Sequence, residues 1–387
     1  MQTADAVVIG AGVIGASIAY HLARAALRVV VVERSTVAGE ATGRSLAFIR
    51  VHYTNTPEAT LALASQKVYA AWRETFGTPV YTRSGFARIV GPDDAANLEA
   101  NVAALRRIGA DTRTLSADEF AELQPGYSLT SGEIAAYEPD GGYADPATAT
   151  SDYLDAARRL GTRLIVGTPV TQIGVGDGRI TQVCAGDEPI ATPIVVNAAG
   201  AWADRVAQLA GVEHGVRPMR MQVVAVERPS SVHTLLTCID GPGGVSFRPE
   251  GDRLVFLSID DSDSSTDLEQ YQTRPDDAHV AEVAARIACR LPAMATAGYH
   301  SGFAAVEGAS PDGHLLLGQC AEVAGFYFAV GFSGGGFKLA PAVGLGLAEL
   351  IVDARCHTFD LEPFGSLASP RRHELRGRWE YGDLLWQ

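Results

Sequence analysis

The 387-residue sequence predicts an α/β protein, α+β overall, in which a Rossmann-like dinucleotide-binding domain is interleaved with a second domain built on an antiparallel sheet. Three observations predict this fold class. A glycine motif between two apolar runs opens the chain, alternating apolar and polar residues follow from residue 80, and an apolar run ending in glycine returns near residue 195. A sheet that resumes after a different pattern indicates a discontinuous domain.

The strongest motif lies in residues 4–35. Residues 6–9 are an apolar run typical of a buried parallel strand, and Gly10, Gly12 and Gly15 then form G-x-G-x-x-G. These glycines permit a tight turn, close approach of a pyrophosphate, and close packing of helix on strand. Residues 17–26 predict the helix, and residues 28–32 a second strand that ends in Glu33, a candidate acceptor for a ribose hydroxyl. The segment predicts an ADP-containing dinucleotide.

The charge and cysteine content of the chain restrict the classes of molecule that it is expected to bind. The formal charge of −14 argues against nucleic acid and against an anionic membrane surface. Five scattered cysteines without a C-x-x-C pair are typical of reduced cytoplasmic thiols and do not indicate a metal site. We expect no signal peptide or membrane helix at the amino end, because glycines interrupt its apolar run and no basic region precedes it.

The first half of the chain changes pattern after residue 80. A glycine-rich loop at residues 38–45 can supply further phosphate and ring contacts, or is an ordinary surface loop. Thr56 is predicted to cap a helix that runs to residue 76, with Pro57 in its first turn. Residues 80–90 predict a half-buried antiparallel strand, and residues 93–107 and 116–123 predict helices, the second capped at Ser116 with Glu119 in a capping box.

The second half alternates between the two patterns. A helix is predicted from Asp145-Pro146 to residue 160, a short strand at 163–166, a hairpin around residues 176–178, and a buried strand at 193–200. Antiparallel strands follow at 216–227 and in a hairpin at 244–259, then a helix within 275–291. Three glycines at 334–336 precede an apolar helix, which indicates a second phosphate- or ring-binding turn.

These patterns predict the following boundaries. Residues 1–80, 140–215 and 310–365 form the nucleotide-binding domain, residues 81–139 and 216–309 form the substrate-binding domain, and residues 366–387 are a tail packed on the surface.

The motifs together resemble the D-amino-acid oxidase superfamily of flavoenzymes, on its glycine oxidase and sarcosine oxidase branch. The resemblance covers nearly the whole chain and rests on VVIGAGVIGAS, ATGRS, RVHY, NAAGAW, FRPEG, SPDGH and GFSGGGFKLAPAVG, in this order. It implies that the dinucleotide is FAD and that the antiparallel domain covers the flavin and holds a small amino-acid or secondary-amine substrate. It also implies O2 or another acceptor for the electrons; the oligomeric state stays open.

The resemblance implies roles for individual residues. Arg50 and Lys338 would bind the substrate carboxylate, with Tyr53 beside them; His52 is a substrate contact or a polar loop residue, and Arg248 an active-site cation or an exposed one. Lysine is rare in this chain, which has only Lys338 and Lys67. The residues implied to hold FAD are Gly10, Gly12, Val13, Ile14, Gly15, Glu33, Arg34, Thr42, Gly43, Arg44, Ser45, Val170, Gly200, Trp202, Gly334, Gly335, Gly336, Phe337 and Lys338.

Three departures from the family pattern matter. Ala305 stands seven residues before Asp312, where the covalent flavoenzymes of this branch carry the linking cysteine, so we expect non-covalent FAD. The related family motif GHGFK has a histidine at the position that Gly335 occupies in this chain. Residues 253–256 lack the lysine that promotes reaction with oxygen in monomeric sarcosine oxidases, which leaves oxidase and dehydrogenase both open.

The preferred hypothesis is FAD-dependent oxidation of the C–N bond of glycine or an N-substituted glycine, releasing hydrogen peroxide. Alternatives are a D-amino-acid or imino-acid dehydrogenase, a nicotinamide-dependent dehydrogenase, and a flavin-holding subunit of a larger electron-transfer assembly. The first thirty-five residues alone allow nicotinamide, but the glycine turn at 334–336 does not favour it.

Overall fold

The computed structural model describes residues 2–260, 266–377 and 381; the predicted tail therefore lies partly outside the described residues. Its strands are β1 (Gln2–Thr3), β2 (Ala6–Ile9), β3 (Val29–Val32), β4 (Phe48–Ile49), β5 (Tyr81–Thr82), β6 (Phe86–Val90), β7 (Arg113–Leu115), β8 (Ile134–Glu138), β9 (Gly142–Ala144), β10 (Arg163–Ile165), β11 (Val170–Gly176), β12 (Arg179–Ala185), β13 (Glu188–Ala191), β14 (Val195–Asn197), β15 (Arg217–Glu227), β16 (Thr237–Asp240), β17 (Val245–Glu250), β18 (Leu254–Ser258), β19 (Tyr299–Ala309), β20 (Leu316–Gln319) and β21 (Phe326–Val330).

The α-helices are generally short, and short 3-10 turns occur between several elements. The helices are α1 (Val13–Arg24), α2 (Thr56–Ala70), α3 (Trp72–Phe76), α4 (Ala95–Arg107), α5 (Ala117–Leu123), α6 (Pro146–Arg159), α7 (Ala203–Leu209), α8 (Asp277–Arg290) and α9 (Gly336–Asp353).

A six-stranded sheet carries the glycine motif. Its order is β10-β3-β2-β14-β21-β20, and every pair is parallel except β20 with β21. The residues of β2 and β3 are buried throughout, as parallel strands covered on both faces require. Helices α1 and α9 pack so closely that a side chain at Gly344 would overlap Ser17. The return of the sheet at β14 is confirmed, while the domain boundaries stay a prediction.

An eight-stranded sheet provides the second layer of the fold. Its order is β19-β15-β18-β17-β16-β6-β8-β7, antiparallel except between β16 and β6. The predicted hairpin of β17 and β18 is confirmed. A small sheet of β4, β9 and β5 pairs Ile49 with Gly142, which fixes the backbone immediately before Arg50.

Several predicted boundaries are wrong for local reasons. Helix α1 begins at Val13 because Gly12 is its N-cap, so Gly15 belongs to the first helical turn. Asn55, not Thr56, caps α2, since its side chain accepts a hydrogen bond from the Glu58 N–H. The predicted strand at 80–90 divides at Gly85 into β5 and β6, and β6 is buried on both faces. The capping box of α5 is confirmed.

The carboxyl-terminal tail does not simply pack on the surface, as the sequence suggested. Leu375 is completely buried, and Arg372 forms a bidentate pair with Asp312. Tyr381 is 2% exposed and lies among residues next to Arg50. The tail's apolar residues are widely spaced, so they show no periodic pattern that would predict burial. Within the described ranges, no helix has the length and apolarity needed to cross a bilayer.

Candidate active site

The glycine motif forms a turn with no room for side chains. Gly10 has φ +109°, and a Cβ there would overlap the carbonyl oxygen of Ala198 on the neighbouring strand. A Cβ on Gly15 would overlap the carbonyl oxygen of Gly10. A Cβ on Gly12 would lie 3.0 Å from Thr42 Oγ1. The turn therefore brings the amino end of α1 against β2, where helix N–H groups can bind a phosphate.

Glu33 lies at the carboxyl end of β3, beside this turn. Its Oε2 accepts a hydrogen bond of 2.9 Å from the Ala11 N–H, and its Oε1 accepts one of 2.8 Å from the Ser35 N–H. Each carboxylate oxygen can accept more than one hydrogen bond. The two backbone donors fix the side chain and leave it able to accept a ribose hydroxyl.

The loop after Glu33 folds back over the turn. Thr42 Oγ1 accepts a hydrogen bond of 3.2 Å from the Val13 N–H, the first of α1, and Ser45 donates to the carbonyl of Thr42. Arg44 reaches away from the loop and donates to Tyr271 Oη at 2.9 Å and to the carbonyl of Ala304. The loop is thus an ordered wall of the site, not merely a surface loop.

An exposed cluster of charged residues surrounds Arg34, the residue that follows Glu33. The guanidinium of Arg34 lies 4.4 Å from the centroid of the Trp202 ring, within cation–π range. Glu269 receives hydrogen bonds from Arg34, Trp202 Nε1 and Arg205, and these donors hold the pKa of Glu269 below its ordinary value, Arg34 first. Because the cluster is exposed, it contributes orientation more than stability.

A cavity of about 740 Å³ extends from the glycine turn to the amino end of α9. Most of the residues predicted to hold cofactor or substrate line it: Gly10, Gly12, Val13, Ile14, Glu33, Arg34, Thr42, Arg44, Ser45, Arg50, Val170, Gly200, Trp202, Gly334, Gly336, Phe337 and Lys338. Six predicted residues do not line it: Gly15, Gly43, Gly335, His52, Tyr53 and Arg248.

Three of those six are glycines that pack behind the residues lining the cavity. Gly43 lies against the carbonyl oxygen of Ala38, and Gly15 against that of Gly10, so both serve close backbone approach. A Cβ on Gly335 would lie 2.9 Å from the Tyr53 hydroxyl. Tyr53 occupies the space that a larger side chain at 335 would need, which explains why this chain has glycine there.

Arg50 and Lys338 come together beside the ring of Tyr53. The Arg50 guanidinium lies 4.7 Å and the Lys338 ammonium 5.5 Å from the centroid of that ring. Lys338 also donates to the carbonyl of Gly334 at 3.3 Å. Two cations that converge on one wall of a cavity form a site for an anion, and the planar fork of arginine fits a carboxylate.

Burial has the largest effect on the pKa values of the residues beside Arg50. Loss of solvation, followed by the positive charge of Arg50, lowers the pKa of Lys338 well below its ordinary value, while Glu58 and Glu307 act in the opposite direction. The same burial raises the pKa of Tyr53. A bound carboxylate would stabilise the charged form of Lys338, so anion binding and lysine protonation are coupled.

His52 faces away from the cavity. Its Nε2 is hydrogen-bonded to the hydroxyl of Tyr381, and Asn101 donates to both that hydroxyl and the carbonyl of Tyr53. Burial lowers the pKa of His52 well below its ordinary value, with Arg50 and Arg88 acting in the same direction. Of the two alternatives, substrate contact and polar loop residue, the structure favours the second: His52 lies in the irregular segment between β4 and α2 and is buried next to Arg50.

Arg248 is neither exposed nor in the cavity. Its side chain is only 3% exposed and forms an ion pair with Glu250. The guanidinium lies 4.3 Å from the Tyr143 ring centroid and 4.6 Å from that of Phe256. The structure does not place Arg248 among the residues that line the cavity, because two aromatic rings and a neighbouring carboxylate hold this arginine within the antiparallel sheet.

Sequence reasoning missed two carboxyl groups close to the site. Glu307, on β19, lines the cavity, and Glu138 accepts a hydrogen bond of 2.8 Å from the Val51 N–H, next to Arg50. Burial, the largest cause, raises the pKa of Glu138 to about 7 and that of Glu307 to about 8. Glutamates within strand patterns carry no motif, so only the folded structure identifies them.

The residues present fit a dinucleotide. A Cβ would fill the turn at Gly10, Glu33 is fixed at the ribose position, and the amino end of α1 opens into the cavity. A second glycine turn at 334–336 and two cations lie further along the same cavity. Fold and site define a dinucleotide-dependent oxidoreductase.

The chain belongs to the FAD dependent oxidoreductase (DAO) family, whose sequence profile matches residues 5–350. It is 28% identical to FAD-dependent oxidoreductase domain-containing protein 1 of Bos taurus, over 94% of this chain and 84% of that protein. It is 26% identical to glycine oxidase of Geobacillus kaustophilus, over 93% and 96%. The structure of L-proline dehydrogenase from P. horikoshii superimposes with a TM-score of 0.89 at 25% identity, covering 96% and 98%.

FAD is therefore the dinucleotide, and we predict that it is bound without a covalent link. Ala305, which stands where a linking cysteine would be, lines the cavity and has no nucleophilic atom. Acid precipitation is expected to leave the yellow colour in the supernatant, with the mass of FAD by mass spectrometry. Colour retained in the washed pellet would contradict this prediction.

Proposed function

We propose that the chain oxidises the C–N bond of glycine or of an N-substituted glycine. The observation that carries the proposal is the pair of cations, Arg50 and Lys338. Both line the same cavity as Glu33 and lie beside the ring of Tyr53, which packs behind them. A substrate carboxylate is the group that such a pair binds. Two similar proteins, glycine oxidase and L-proline dehydrogenase, are named for a primary and a cyclic secondary amino acid, which supports this substrate class.

The protein's part in the reaction is orientation and electrostatics. Bound FAD supplies the hydride acceptor for the carbon next to nitrogen. The glycine turn and Glu33 hold the ADP half, while Arg50 and Lys338 fix the carboxylate and so limit where the adjacent carbon can lie. Fixing a reactant in this way accelerates the reaction through proximity and orientation. The imine product then hydrolyses in water, giving glyoxylate or an aldehyde, and an amine.

The electron acceptor is the next part of the proposal: O2, which yields hydrogen peroxide at a modest rate. The sequence has no lysine at residues 253–256, and Val255 on that strand is buried in the core. Substrate-reduced enzyme is expected to reoxidise in air within the time of a manual assay, with stoichiometric peroxide. Enzyme that stays reduced in air for many minutes, yet is reoxidised by a quinone or dye, would be a dehydrogenase.

A second candidate is an imino-acid or D-amino-acid dehydrogenase. The likeness to L-proline dehydrogenase over nearly the whole chain favours it. A comparison of glycine, N-alkylglycines and proline as substrates separates the two candidates, because an imino-acid enzyme should prefer cyclic amines to glycine. Preparations that turn over no amino acid unless a co-purifying protein is present would favour a flavin-holding subunit. We also propose a cytoplasmic location, since the described cysteines are all free thiols.

The test of the proposed function is the visible spectrum of the holoenzyme without oxygen. Glycine, sarcosine, longer N-alkylglycines, D-alanine and both enantiomers of proline are added in turn. Bleaching of the oxidised flavin by glycine or an N-alkylglycine, at lower concentration than by the others, is the expected result. Reduction by none of them would refute the proposal.

A further inference from the structure

Glu307 carries a carboxyl group that the roles assigned above do not use. It lies on β19 opposite Met219 of β15, and its side chain lines the cavity. Its Oε1 is inaccessible to solvent and has no hydrogen-bond partner among the described residues. A buried oxygen without a donor costs folding free energy, so it is expected to have a partner when the site is filled.

Glu307 and Lys338 lie beside the same residue of the glycine turn. The carbonyl of Gly334 accepts a hydrogen bond of 3.3 Å from the Lys338 ammonium, and the backbone N–H of Gly334 favours the ionised form of Glu307 and so lowers its pKa. Gly334 has φ +82°, a conformation that glycine adopts without strain. An acid and a cation therefore line the cavity next to one turn, although they do not form a direct ion pair.

The charges around Glu307 come from two neighbouring elements. Lys338 of α9 favours the ionised carboxylate, and Asp260, which follows β18, disfavours it. Arg50 and Glu58 act on Lys338 and so act on Glu307 only through it. The facing residue of β15 is uncharged Met219. Burial is the largest effect, and with the others it raises the pKa of Glu307 to about 8.

An amino acid in water carries both a carboxylate and an ammonium. Arg50 and Lys338 match the first of these charges, and Glu307 in the same cavity matches the second. Hydride can leave the adjacent carbon only when nitrogen has a lone pair to donate, so the ammonium must lose a proton first. A proton acceptor at the nitrogen contributes most when its pKa lies near the working pH.

We propose that Glu307 binds the substrate ammonium and accepts its proton through Oε1. This inference rests on the proposed function. In the step, one N–H bond of the substrate breaks and an O–H bond forms at Glu307, while the electron pair stays on nitrogen. The neutral amine could then give up hydride from the adjacent carbon to the FAD that the glycine turn and Glu33 would hold, which leaves an iminium ion that hydrolyses in water. The proton on Glu307 leaves to solvent once the product has departed.

The experiment compares wild type with Glu307→Gln, whose amide has the same size as the carboxyl group but cannot accept a proton at neutral pH. Anaerobic flavin reduction is followed by stopped flow from pH 6 to pH 10. We expect the wild-type rate to rise with pH and to level off above about pH 8, as Glu307 ionises. Glu307→Gln is expected to be slower by about 10²-fold or more near pH 7. Its rate should recover only where the free substrate amine is itself neutral.

A binding measurement provides a readout independent of turnover. Acetate has the carboxylate but no nitrogen, and its binding is followed by perturbation of the flavin spectrum or of tryptophan fluorescence. At pH 9, Glu307→Gln is expected to bind acetate more tightly, because a like charge has been removed, and to bind the amino acid more weakly. Opposite shifts of this kind would not follow from general damage to the fold.

Glu188→Gln is the matched control, since Glu188 is exposed on β13 and does not line the cavity. It should leave the pH profile and both affinities unchanged. If Glu307→Gln does not retain FAD, Glu307→Asp is used, and it should keep the pH dependence at a lower rate. A Glu307→Gln profile that matches wild type would overturn the role of Glu307, whereas failure of wild type to be reduced by any amino acid would overturn the proposed function instead.

Discussion

Arg50→Ala and Lys338→Met are each expected to lower kcat/KM for an amino acid by about thirtyfold or more. Removing one partner of a buried charge pair costs about 2–5 kcal/mol, and each 1.4 kcal/mol is a factor of about ten. Both cations are almost fully buried beside Tyr53, so water cannot replace either of them. Steady-state kinetics at saturating oxygen or dye measure the loss.

The chain offers matched controls for both substitutions. Lys67, the other lysine of the sequence, is exposed on α2, and Arg73 is exposed on α3. Lys67→Met and Arg73→Ala should leave kcat/KM within a factor of two of wild type. The flavin spectrum of Arg50→Ala should survive, whereas Lys338→Met can perturb it because Gly334 and Gly336 share its turn. Equal losses in the variants and their controls would mean that the two cations do not anchor substrate.

Gly10→Ala is expected to abolish FAD retention. The new Cβ would overlap the carbonyl oxygen of Ala198, and overpacking of this kind costs about 1–3 kcal/mol beyond the strain of the positive φ. The displaced turn would also move the N–H groups of α1 away from the phosphates. Flavin content after gel filtration and the thermal midpoint are the measurements.

Gly178→Ala separates the steric overlap of a new Cβ from the backbone strain of a positive φ. Gly178 also has positive φ, +71°, but a Cβ there meets nothing within 4 Å. It should cost only about 1–2 kcal/mol of backbone strain and leave FAD content unchanged. Full flavin occupancy in Gly10→Ala would show that the glycine turn does not approach the cofactor.

The sequence predicted the parts of the site that depend on local backbone geometry. Gly10, Gly12, Gly15 and Glu33 occupy positions where a strand, a turn and a helix follow one another directly, so their spacing alone determines where they lie. The same holds for the turn before α9, where three glycines precede an apolar helix. These motifs predicted both ends of the cavity.

Other features depend on packing between distant segments, which spacing does not reveal. Arg248 lies in the first strand of the β17–β18 hairpin, where it packs against Tyr143 and Phe256 and does not line the cavity. Tyr381 reaches His52 from the far end of the chain. Glu307 lies on β19, whose sequence does not alternate between apolar and polar residues, and its position at the cavity depends on the pairing of β19 with β15. Prediction of these contacts requires the tertiary structure.

The most direct test of the central claim compares a substrate with its own amide. Glycine and glycinamide, or sarcosine and its amide, share the reacting C–N bond and differ in the carboxylate that Arg50 and Lys338 are proposed to bind. Anaerobic flavin reduction by wild type should favour the acid strongly, and Arg50→Ala and Lys338→Met should each lose most of that preference. If both variants discriminate between acid and amide as wild type does, the two cations do not bind the substrate carboxylate.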